Sequence, residues 1–345
     1  MLVATFKPYT LNFNEPGGTS RGVLTQKPSW FVEVYNKNNP TIKGVGEISV
    51  IPKLSPEYFL KTNLEEIIAQ KLANINNVDI YNQNEWHLIP AVRFGIETAL
   101  TDLKNGGTRI LYPSLFTKGD EGITINGLVW MGDIATMRRR IIEKYEAGFR
   151  CIKLKIGALN FDNELKLVEF VRTEFPDVEI RLDANGAFTP SDALHKIDLL
   201  SKYQIHSIEQ PIKPNQWKAM ADICKQSPID IALDEELIGI EQNKAEMLNT
   251  INPQYIILKP SLVGGLYESE QWIALCQQYG IKWWATSALE SNIGLNAIAQ
   301  WVFTQNVDMP QGLGTGMVYS NNFDSPLKVN NAKLWYTNQK WSLSI

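Results

Sequence analysis

Short apolar runs recur through the second half of the chain at a nearly constant interval. Six of them end in an ionisable or hydroxyl residue: Lys155, Asp183, Glu209, Asp234, Lys259 and Thr286. Successive ends lie 25 to 28 residues apart, which is the length of one strand, one helix and two short loops. The pattern therefore predicts parallel strands that alternate with helices and close into a barrel.

The first third of the chain follows a different pattern. Runs rich in apolar and β-branched residues at 6–13, 30–35 and 44–50 predict three antiparallel strands. Turn-forming residues at 17–18 and 38–40 separate these runs. Hairpins of this kind are not part of a barrel in which strands and helices alternate, so this region is predicted to be a separate unit.

Helical periodicity follows the predicted strands at residues 56–72 and 89–103. A chain of 345 residues with 44% hydrophobic residues is longer than a barrel alone requires. We therefore predict an α+β cap domain over residues 1–120 and a barrel over residues 121–325. Residues 326–345 are predicted to contain a hairpin and to return to the cap.

The composition argues against several classes of protein. Lysine and arginine together number 33 against 37 aspartate and glutamate residues, so no basic surplus indicates nucleic-acid binding. No apolar run reaches the roughly 18 residues of a membrane span, and the first apolar stretch is too short for a secretory signal. The three cysteines lack metal-binding spacing and favour a reducing compartment. We expect a cytoplasmic protein with a small-molecule partner, and an oligomer is compatible with the sequence.

Three of the strand ends are acidic and should meet at one rim of the barrel. Two carboxylates about 4 Å apart repel each other by roughly 4 kcal/mol at an effective dielectric of 20, so Asp183, Glu209 and Asp234 need a compensating charge. Oxygen ligands without a histidine or cysteine partner favour Mg²⁺, or Mn²⁺, over zinc. The alternative is that these acids cap the following helices. The Gln-Pro after Glu209 and the Glu-Glu after Asp234 are not typical of caps, so we predict a metal site.

Lysines occupy neighbouring strand ends. Lys153 and Lys155 are two residues apart on one strand and point to the same side, as do Arg181 and Asp183. Repulsion between the two ammonium groups, about 2.5 kcal/mol, is expected to lower the pKa of one lysine so that it can act as a base. Lys259 should face Lys155 across the mouth of the barrel. The alternative for each lysine is a surface side chain whose charge stays in water.

These residues and the motifs around them resemble the enolase superfamily. The motifs are Lys153-Leu-Lys155, Asp183-Ala-Asn-Gly, Glu209-Gln-Pro, Leu233-Asp-Glu-Glu and Lys259-Pro-Ser. More narrowly, they resemble its muconate-lactonizing subgroup, in which the bases are lysines on the second and sixth barrel strands. The resemblance implies a modified TIM barrel of the (β/α)7β type with an N-terminal α+β cap domain. It also implies an enzyme that removes a proton next to a carboxylate with the help of Mg²⁺.

The resemblance implies a role for each charged residue. Lys155 and Lys259 would be the catalytic lysines, with Lys155 as the base and Lys259 as the cation that stabilises charge on the substrate. Lys153 and Arg181 would support the substrate carboxylate and the metal. The metal ligands would be Asp183, Glu209 and Asp234.

The segments around the seventh and eighth barrel strands indicate which reaction of the subgroup the resemblance implies. The Ser-rich segment 286–296 resembles the dehydratases of this subgroup, and segment 311–316 lacks the Asp-x-Asp pattern of dipeptide epimerases. We therefore expect syn loss of water from a hydroxycyclohexadiene carboxylate that carries a succinyl group, a step of menaquinone biosynthesis.

The same resemblance suggests which residues would hold the succinyl group. Ser287, Ser291 and backbone amides near Gly312 are the expected contacts. The cap loop at residues 17–21 would assist them, with Arg21 either as a contact or as a charge on the rim.

Two other functions are compatible with the same residues. Racemisation of N-acylamino acids, or epimerisation of dipeptides, would use the same two lysines on opposite faces of the substrate. A barrel without activity could also serve as a binding or scaffold protein, although five polar strand ends in one pattern argue against that reading. The sequence thus predicts an enzyme that acts on a small carboxylate.

Overall fold

A computed structural model describes residues 1–19, 22–240 and 242–342. The chain begins with an antiparallel sheet of three long strands: β1 (Leu2–Thr19), β2 (Gly22–Asn36) and β3 (Asn39–Ser49). The three predicted strands are confirmed, and each is longer than its apolar core. The turn predicted at residues 17–18 is wrong, because Gly17 and Gly18 pair with Leu24 and Val23 and so continue β1.

Helices pack on one face of this sheet. They are the 3-10 helix Pro56–Phe59, α1 (Leu64–Ala73), the 3-10 helices Ile75–Asn77 and Gln83–Trp86, and α2 (Pro90–Lys104). The short helix α3 (Leu115–Lys118) follows and packs on the second unit instead, with Phe116 in its core. The helix predicted over residues 56–72 is interrupted because Asn63 caps α1, its side chain accepting a hydrogen bond from Glu65 N. Helix α2 lies so close to β3 that a Cβ atom on Gly46 would stand 1.9 Å from Gly95 O, so glycine is required there.

Parallel strands form the second unit. They are β5 (Gly127–Val129), β6 (Cys151–Lys155), β7 (Glu179–Asp183), β8 (Ile205–Glu209), β9 (Asp230–Leu233), β10 (Tyr255–Leu258) and β11 (Lys282–Ala285), after the short β4 (Ile123–Thr124). They lie side by side in sequence order. Parallel bridges of Gln311 to Ile125 and of Gly312 to Thr286 connect the two edges and supply an eighth position. The predicted α/β fold, a modified barrel with an N-terminal cap, is confirmed.

Helices cover the outside of the barrel. They are α4 (Ile134–Glu146), α5 (Phe161–Glu174), α6 (Ala193–Ser201), α7 (Trp217–Gln226), α8 (Lys244–Ile251), α9 (Pro260–Val263), α10 (Leu266–Tyr279) and α11 (Asn292–Thr304). The outward residues of the strands, such as Ile152, Leu154 and Ile208, are completely buried against them. Of the helices described, none combines the length and the apolar character needed to cross a lipid bilayer.

The chain ends with the hairpin that the sequence predicts. Strands β12 (Leu327–Asn330) and β13 (Lys333–Tyr336) are antiparallel, and β13 also pairs with β4. Beyond the hairpin, Trp341 packs on a cluster that includes Phe31 and Val45 of the cap sheet. These contacts support our proposal that residues 1–120, 121–325 and 326–345 are the cap, the barrel and a returning segment.

Candidate active site

The charged residues predicted at strand ends lie at one rim of the barrel. Lys155, Asp183 and Glu209 are the last residues of β6, β7 and β8, and Asp234 and Lys259 directly follow β9 and β10. The strands are in register at this level, because Lys155 pairs with Asp183 and Asp183 pairs with Glu209. A parallel barrel thus gathers at one end side chains that are far apart in the sequence.

A pocket of about 880 Å³, partly open to solvent, lies at this rim. Lys153, Lys155, Asp183 and Lys259 are among its lining residues, and we call the part of the pocket that they surround the charged end. Lys155 and Lys259 belong to strand positions four steps apart in an eight-position barrel, so the strand order places them on opposite sides of the pocket. Cap residues, Leu54 among them, contribute to the wall.

Three nearly inaccessible carboxylates form the charged end. Asp183, Glu209 and Asp234 are only 1%, 2% and 2% exposed. The Lys153 ammonium lies between two of them, 3.0 Å from Asp183 Oδ2 and in contact with Glu209 Oε2. Lys259 contacts Asp234 in a similar way. The lysines therefore offset part of the repulsion that the sequence predicts between the acids.

These contacts change the pKa values of the buried groups. Burial would lower the pKa of Lys153, but the charges of Asp183, Glu209 and Asp234 outweigh it and raise that pKa. The predicted lowering of one lysine pKa is thus not found at Lys153, which shares Asp183 Oδ2 with Lys155 as a partner. Burial and the neighbouring acids raise the pKa of Glu209. The pKa of Asp183 is lowered, because the charges of the lysines outweigh its burial.

The chemistry of the three acids fits a divalent cation. All their donors are carboxylate oxygens, which Mg²⁺ prefers, and the buried Glu209 Oε1 accepts no hydrogen bond from the described residues. Lysine ammonium groups contact oxygens of all three acids, and the described ranges 1–19, 22–240 and 242–342 contain no group of Asp, Glu, His or Cys side chains preformed to hold a metal. The assignment of Asp183, Glu209 and Asp234 to a metal thus stays a prediction.

Asn185 is a site residue to which the sequence analysis gave no role. Its Oδ1 lies 2.8 Å from Lys155 Nζ, which is also 3.0 Å from Asp183 Oδ2. Its Nδ2 donates to Glu235 at 3.0 Å, and its φ of 44° is in the left-handed region that asparagine tolerates. The Asp183-Ala-Asn-Gly motif carried this signal, because the asparagine follows the metal-ligand candidate by two residues.

Hydroxyl groups line the part of the pocket next to Lys259, because Leu258 pairs with Ala285 and Thr286 follows directly, and we call this part the hydroxyl end. Thr286, Ser287 and Thr315 line it around Gly312. A Cβ atom on Gly312 would stand 2.4 Å from Thr286 Oγ1, so the absence of a side chain keeps this wall open. Ser287 and Gly312, both predicted contacts of the substrate, thus reach the pocket, while the contribution of Thr315 was not predicted.

Other predicted contacts do not reach the pocket. Arg181 is 1% exposed and lies below it, where Nε donates to Glu179 at 2.8 Å and the guanidinium stacks on Trp284. Ser291 is completely buried and caps α11, with its Oγ donating to Glu47 at 2.5 Å. Arg181 lies two residues before the rim on β7, so its side chain points to the same side as that of Asp183 but lies deeper in the barrel. Arg21 lies outside the described residues.

Comparison with known proteins identifies relatives of the whole chain. The family model "Enolase C-terminal domain-like" matches residues 136–338. An o-succinylbenzoate synthase of Desulfotalea psychrophila (strain LSv54 / DSM 12343) is 44% identical over 362 aligned positions, which cover 96% of this chain and 98% of the relative.

Solved structures share the arrangement of both units. The crystal structure of MenC from Desulfotalea psychrophila LSv54 superposes with a TM-score of 0.81 at 40% identity, and the match covers 97% of this chain and 99% of that one. The dipeptide epimerase of Enterococcus faecalis V583, complexed with Mg and the dipeptide L-Leu-L-Tyr, gives a TM-score of 0.80 at 22% identity, covering 98% and 97%. The second likeness concerns the fold alone.

Proposed function

The chain belongs to the enolase superfamily, in its muconate-lactonizing-enzyme-like subgroup, and on that premise we propose that it is an o-succinylbenzoate synthase. The reaction is the Mg²⁺-dependent syn loss of water from 2-succinyl-6-hydroxy-2,4-cyclohexadiene-1-carboxylate, which gives 2-succinylbenzoate in menaquinone biosynthesis. The observation that carries this proposal is the 44% identity over 96% of the chain. The pocket supports it, because it combines a charged end for a carboxylate with a base beside it.

Lys155 is the proposed general base and general acid. Its Nζ lies in the pocket, so it can take the proton from the ring carbon that bears the carboxylate. The C–H electrons then form the new ring double bond while the C–O bond to the hydroxyl breaks. Lys155 returns the same proton to the departing oxygen, which leaves as water from the same face. No net proton is consumed, and one lysine suffices for both transfers.

Lys259 acts by its charge. It stands across the pocket from Lys155, and the Asp234 contact fixes its ammonium at the rim. Burial opposes the charged form, but Asp234 and Glu209 raise the pKa of Lys259, so it remains a cation. A fixed cation stabilises the negative charge that the substrate carboxylate and ring gain as the proton leaves, and this help acts mainly in the transition state.

Asp183, Glu209 and Asp234 are the residues that would hold Mg²⁺. The ion would supply Lewis-acid stabilisation of the carboxylate whose neighbouring proton is removed. The residues of the chain orient the substrate for this purpose, since Lys153 is fixed by two of the acids and presents its charge to the pocket. Arg181 supports the floor through Glu179 and does not contact the substrate.

Racemisation is the second candidate because two lysines flank the pocket. An N-acylamino acid racemase or dipeptide epimerase would pass the proton from one to the other. The lining of the hydroxyl end argues against the dipeptide reaction. Between Gln311 and Gly316 the chain has no acidic residue that could bind a substrate ammonium group, and Thr315 offers only a hydroxyl.

The proposal is tested with purified protein and Mg²⁺ on two substrates in parallel. The cyclohexadiene carboxylate should lose water with a kcat/KM of at least about 10⁴ M⁻¹s⁻¹, an ordinary value for an enzyme. An N-succinylamino acid should be racemised more slowly. Faster racemisation than dehydration would assign the site to the second function.

The cellular setting is also a proposal. Cys151, Cys224 and Cys276 are all unpaired and buried, which fits a reducing compartment such as the cytoplasm. The substrate is a small carboxylate, and a single chain supplies every residue used in the scheme above. An oligomer is therefore not required for the chemistry.

A further inference from the structure

A chain of hydroxyl groups connects the hydroxyl end of the pocket to a carboxylate that the reaction scheme does not use. Thr315 Oγ1 donates to Ser287 Oγ at 2.7 Å, and Ser287 Oγ donates to Glu290 Oε2 at 2.6 Å. Glu290 is completely buried. It also accepts from Ser261 Oγ at 2.5 Å and from Ala288 N at 2.7 Å. Thr315 and Ser287 line the pocket, whereas Glu290 lies behind them.

The direction of these bonds limits what the wall can bind. A hydroxyl group has one proton to donate and two lone pairs that accept. Ser287 gives its proton to Glu290, and Thr315 gives its proton to Ser287. As long as Glu290 is ionised, charge assistance makes these bonds strong. Ser287 Oγ also accepts from Leu289 N at 3.1 Å, so both of its lone pairs are occupied. Thr315 is then the hydroxyl that presents lone pairs to the pocket, which suits a donor and repels an anion.

The proposed substrate places an anion at this wall. This step rests on the proposed function, in which one carboxylate of the substrate occupies the charged end and the succinyl tail carries a second. Among the described residues that line the pocket, the cations are Lys153, Lys155 and Lys259, and each of them already contacts Asp183 or Asp234. The tail carboxylate must therefore take its hydrogen bonds from neutral donors, and the side chains of Ser287 and Thr315 are placed for this.

We propose that binding of the tail carboxylate is coupled to the uptake of one proton by Glu290. The proton comes from solvent and forms an O–H bond on the carboxyl group. Neutral Glu290 is a weaker acceptor, so the hydroxyl protons of Ser287 and Thr315 turn towards the ligand anion. The number of buried negative charges at this wall then stays the same when the ligand enters.

The charges around Glu290 support this exchange. Lys27 and Glu47, from the cap strands, face it and form a completely buried pair with 3.6 Å between Nζ and Oε1. This single cation is matched by Glu47, which leaves Glu290 as a second acid. Burial raises the pKa of Glu290, and Glu47 adds to the effect, against the hydrogen bonds from the serines. Tyr319, another titratable neighbour, donates its hydroxyl to Leu289 O.

Calorimetry with the reaction product tests the coupling. Binding of 2-succinylbenzoate to the Mg²⁺-loaded protein is measured from about pH 6 to 9 in two buffers that differ in ionisation enthalpy. We expect an uptake that approaches about one proton as the pH rises, with affinity falling about tenfold per pH unit in that range. Glu290→Gln, which cannot be ionised, should lack this component. A control ligand without the tail carboxylate, 2-acetylbenzoate, should show no difference between wild type and variant.

A second variant keeps the test decisive if Glu290→Gln does not fold. Thr315→Val removes the hydroxyl at the pocket end of the chain, so it should weaken binding and abolish the same proton uptake. Equal uptake in wild type and in either variant would overturn the coupling while leaving the proposed function intact. Failure of the wild-type protein to bind 2-succinylbenzoate at any pH would instead contradict the proposed function itself.

Discussion

The two ends of the pocket are built in different ways. At the charged end, Lys155, Asp183 and Glu209 come from adjacent strand ends that pair with one another. At the hydroxyl end, Ser287 is positioned by the buried Glu290, and Ser291 next to it is held by Glu47 from the distant cap sheet. The repeat of the barrel therefore fixes the charged end, whereas the loop after β11, held by buried acids of the barrel and of the cap, forms the hydroxyl end.

The two ends also differ in their electrostatics. The charged end contains three lysines and four acids, with Glu235 as the fourth, so the lysines offset most of the negative charge when every group is ionised. Removing one partner from such a group leaves an uncompensated buried charge, which is costly. At the hydroxyl end, the neutral hydroxyl groups of Ser287 and Thr315 lie between the pocket and the buried carboxylate of Glu290. In the proposed reaction, the bond-breaking steps take place at the charged end and the substrate tail is recognised at the hydroxyl end.

Removal of the metal should have the largest effect and should act on the charged end alone. With an excess of chelator we expect turnover to fall by at least about 10⁴-fold, because Lewis-acid stabilisation contributes several kcal/mol. The far-UV and near-UV circular dichroism should change little. Added Mg²⁺ should restore activity. Turnover that persists in metal-free protein would refute the mechanism.

Loss of the base is the second test of the charged end. Lys155→Ala should lower kcat by about 10³-fold, within the usual contribution of a general acid–base group, while Mg²⁺ binding measured by calorimetry is retained. The matched control is Lys166→Ala, the same substitution at an exposed position of α5. It should leave kcat unchanged. Near-normal turnover by Lys155→Ala would mean that another group is the base.

The difference between the ends explains how much the sequence could predict. At the charged end Lys155, Asp183, Glu209, Asp234 and Lys259 each close an apolar run, and the interval between runs is nearly constant, so the sequence alone predicted that these five meet at one rim. The same reasoning did not predict how deep in the barrel Arg181 lies. It lies two residues before the rim on the same side as Asp183, and alternation reveals the side but not the depth.

At the hydroxyl end the sequence carried less information. Ser287 and Ser291 look alike in a serine-rich segment, yet one faces the pocket and the other binds Glu47, 244 residues earlier in the chain. No local pattern specifies such a contact. The cap is similar in this respect. Its three strands could be predicted from local patterns, but the continuation of β1 through Gly17 could not, because it depends on pairing with β2.

Removal of the Ser287 hydroxyl should have an effect of intermediate size, and it tests whether the hydroxyl end binds the substrate tail. In Ser287→Ala we expect KM for the cyclohexadiene substrate to rise by about 10-fold or more, because a hydrogen bond to a charged group contributes roughly 1.5–3 kcal/mol. The change in kcat should be smaller, since the tail is remote from the reacting carbon. Ser201→Ala on α6 is the control. An unchanged KM would remove Ser287 from the binding site.

The smallest effect is expected for a substitution of Ser291, and it should be a loss of stability. Ser291→Ala removes the cap of α11 and one donor to the buried Glu47, so the free energy of unfolding should decrease by about 1–2 kcal/mol. Denaturant titration at constant slope measures this loss, and Ser291→Thr, which keeps the hydroxyl, should recover most of it. KM should stay at the wild-type value, because Ser291 does not line the pocket. A raised KM with unchanged stability would instead place Ser291 on the substrate and extend the recognition surface towards the cap.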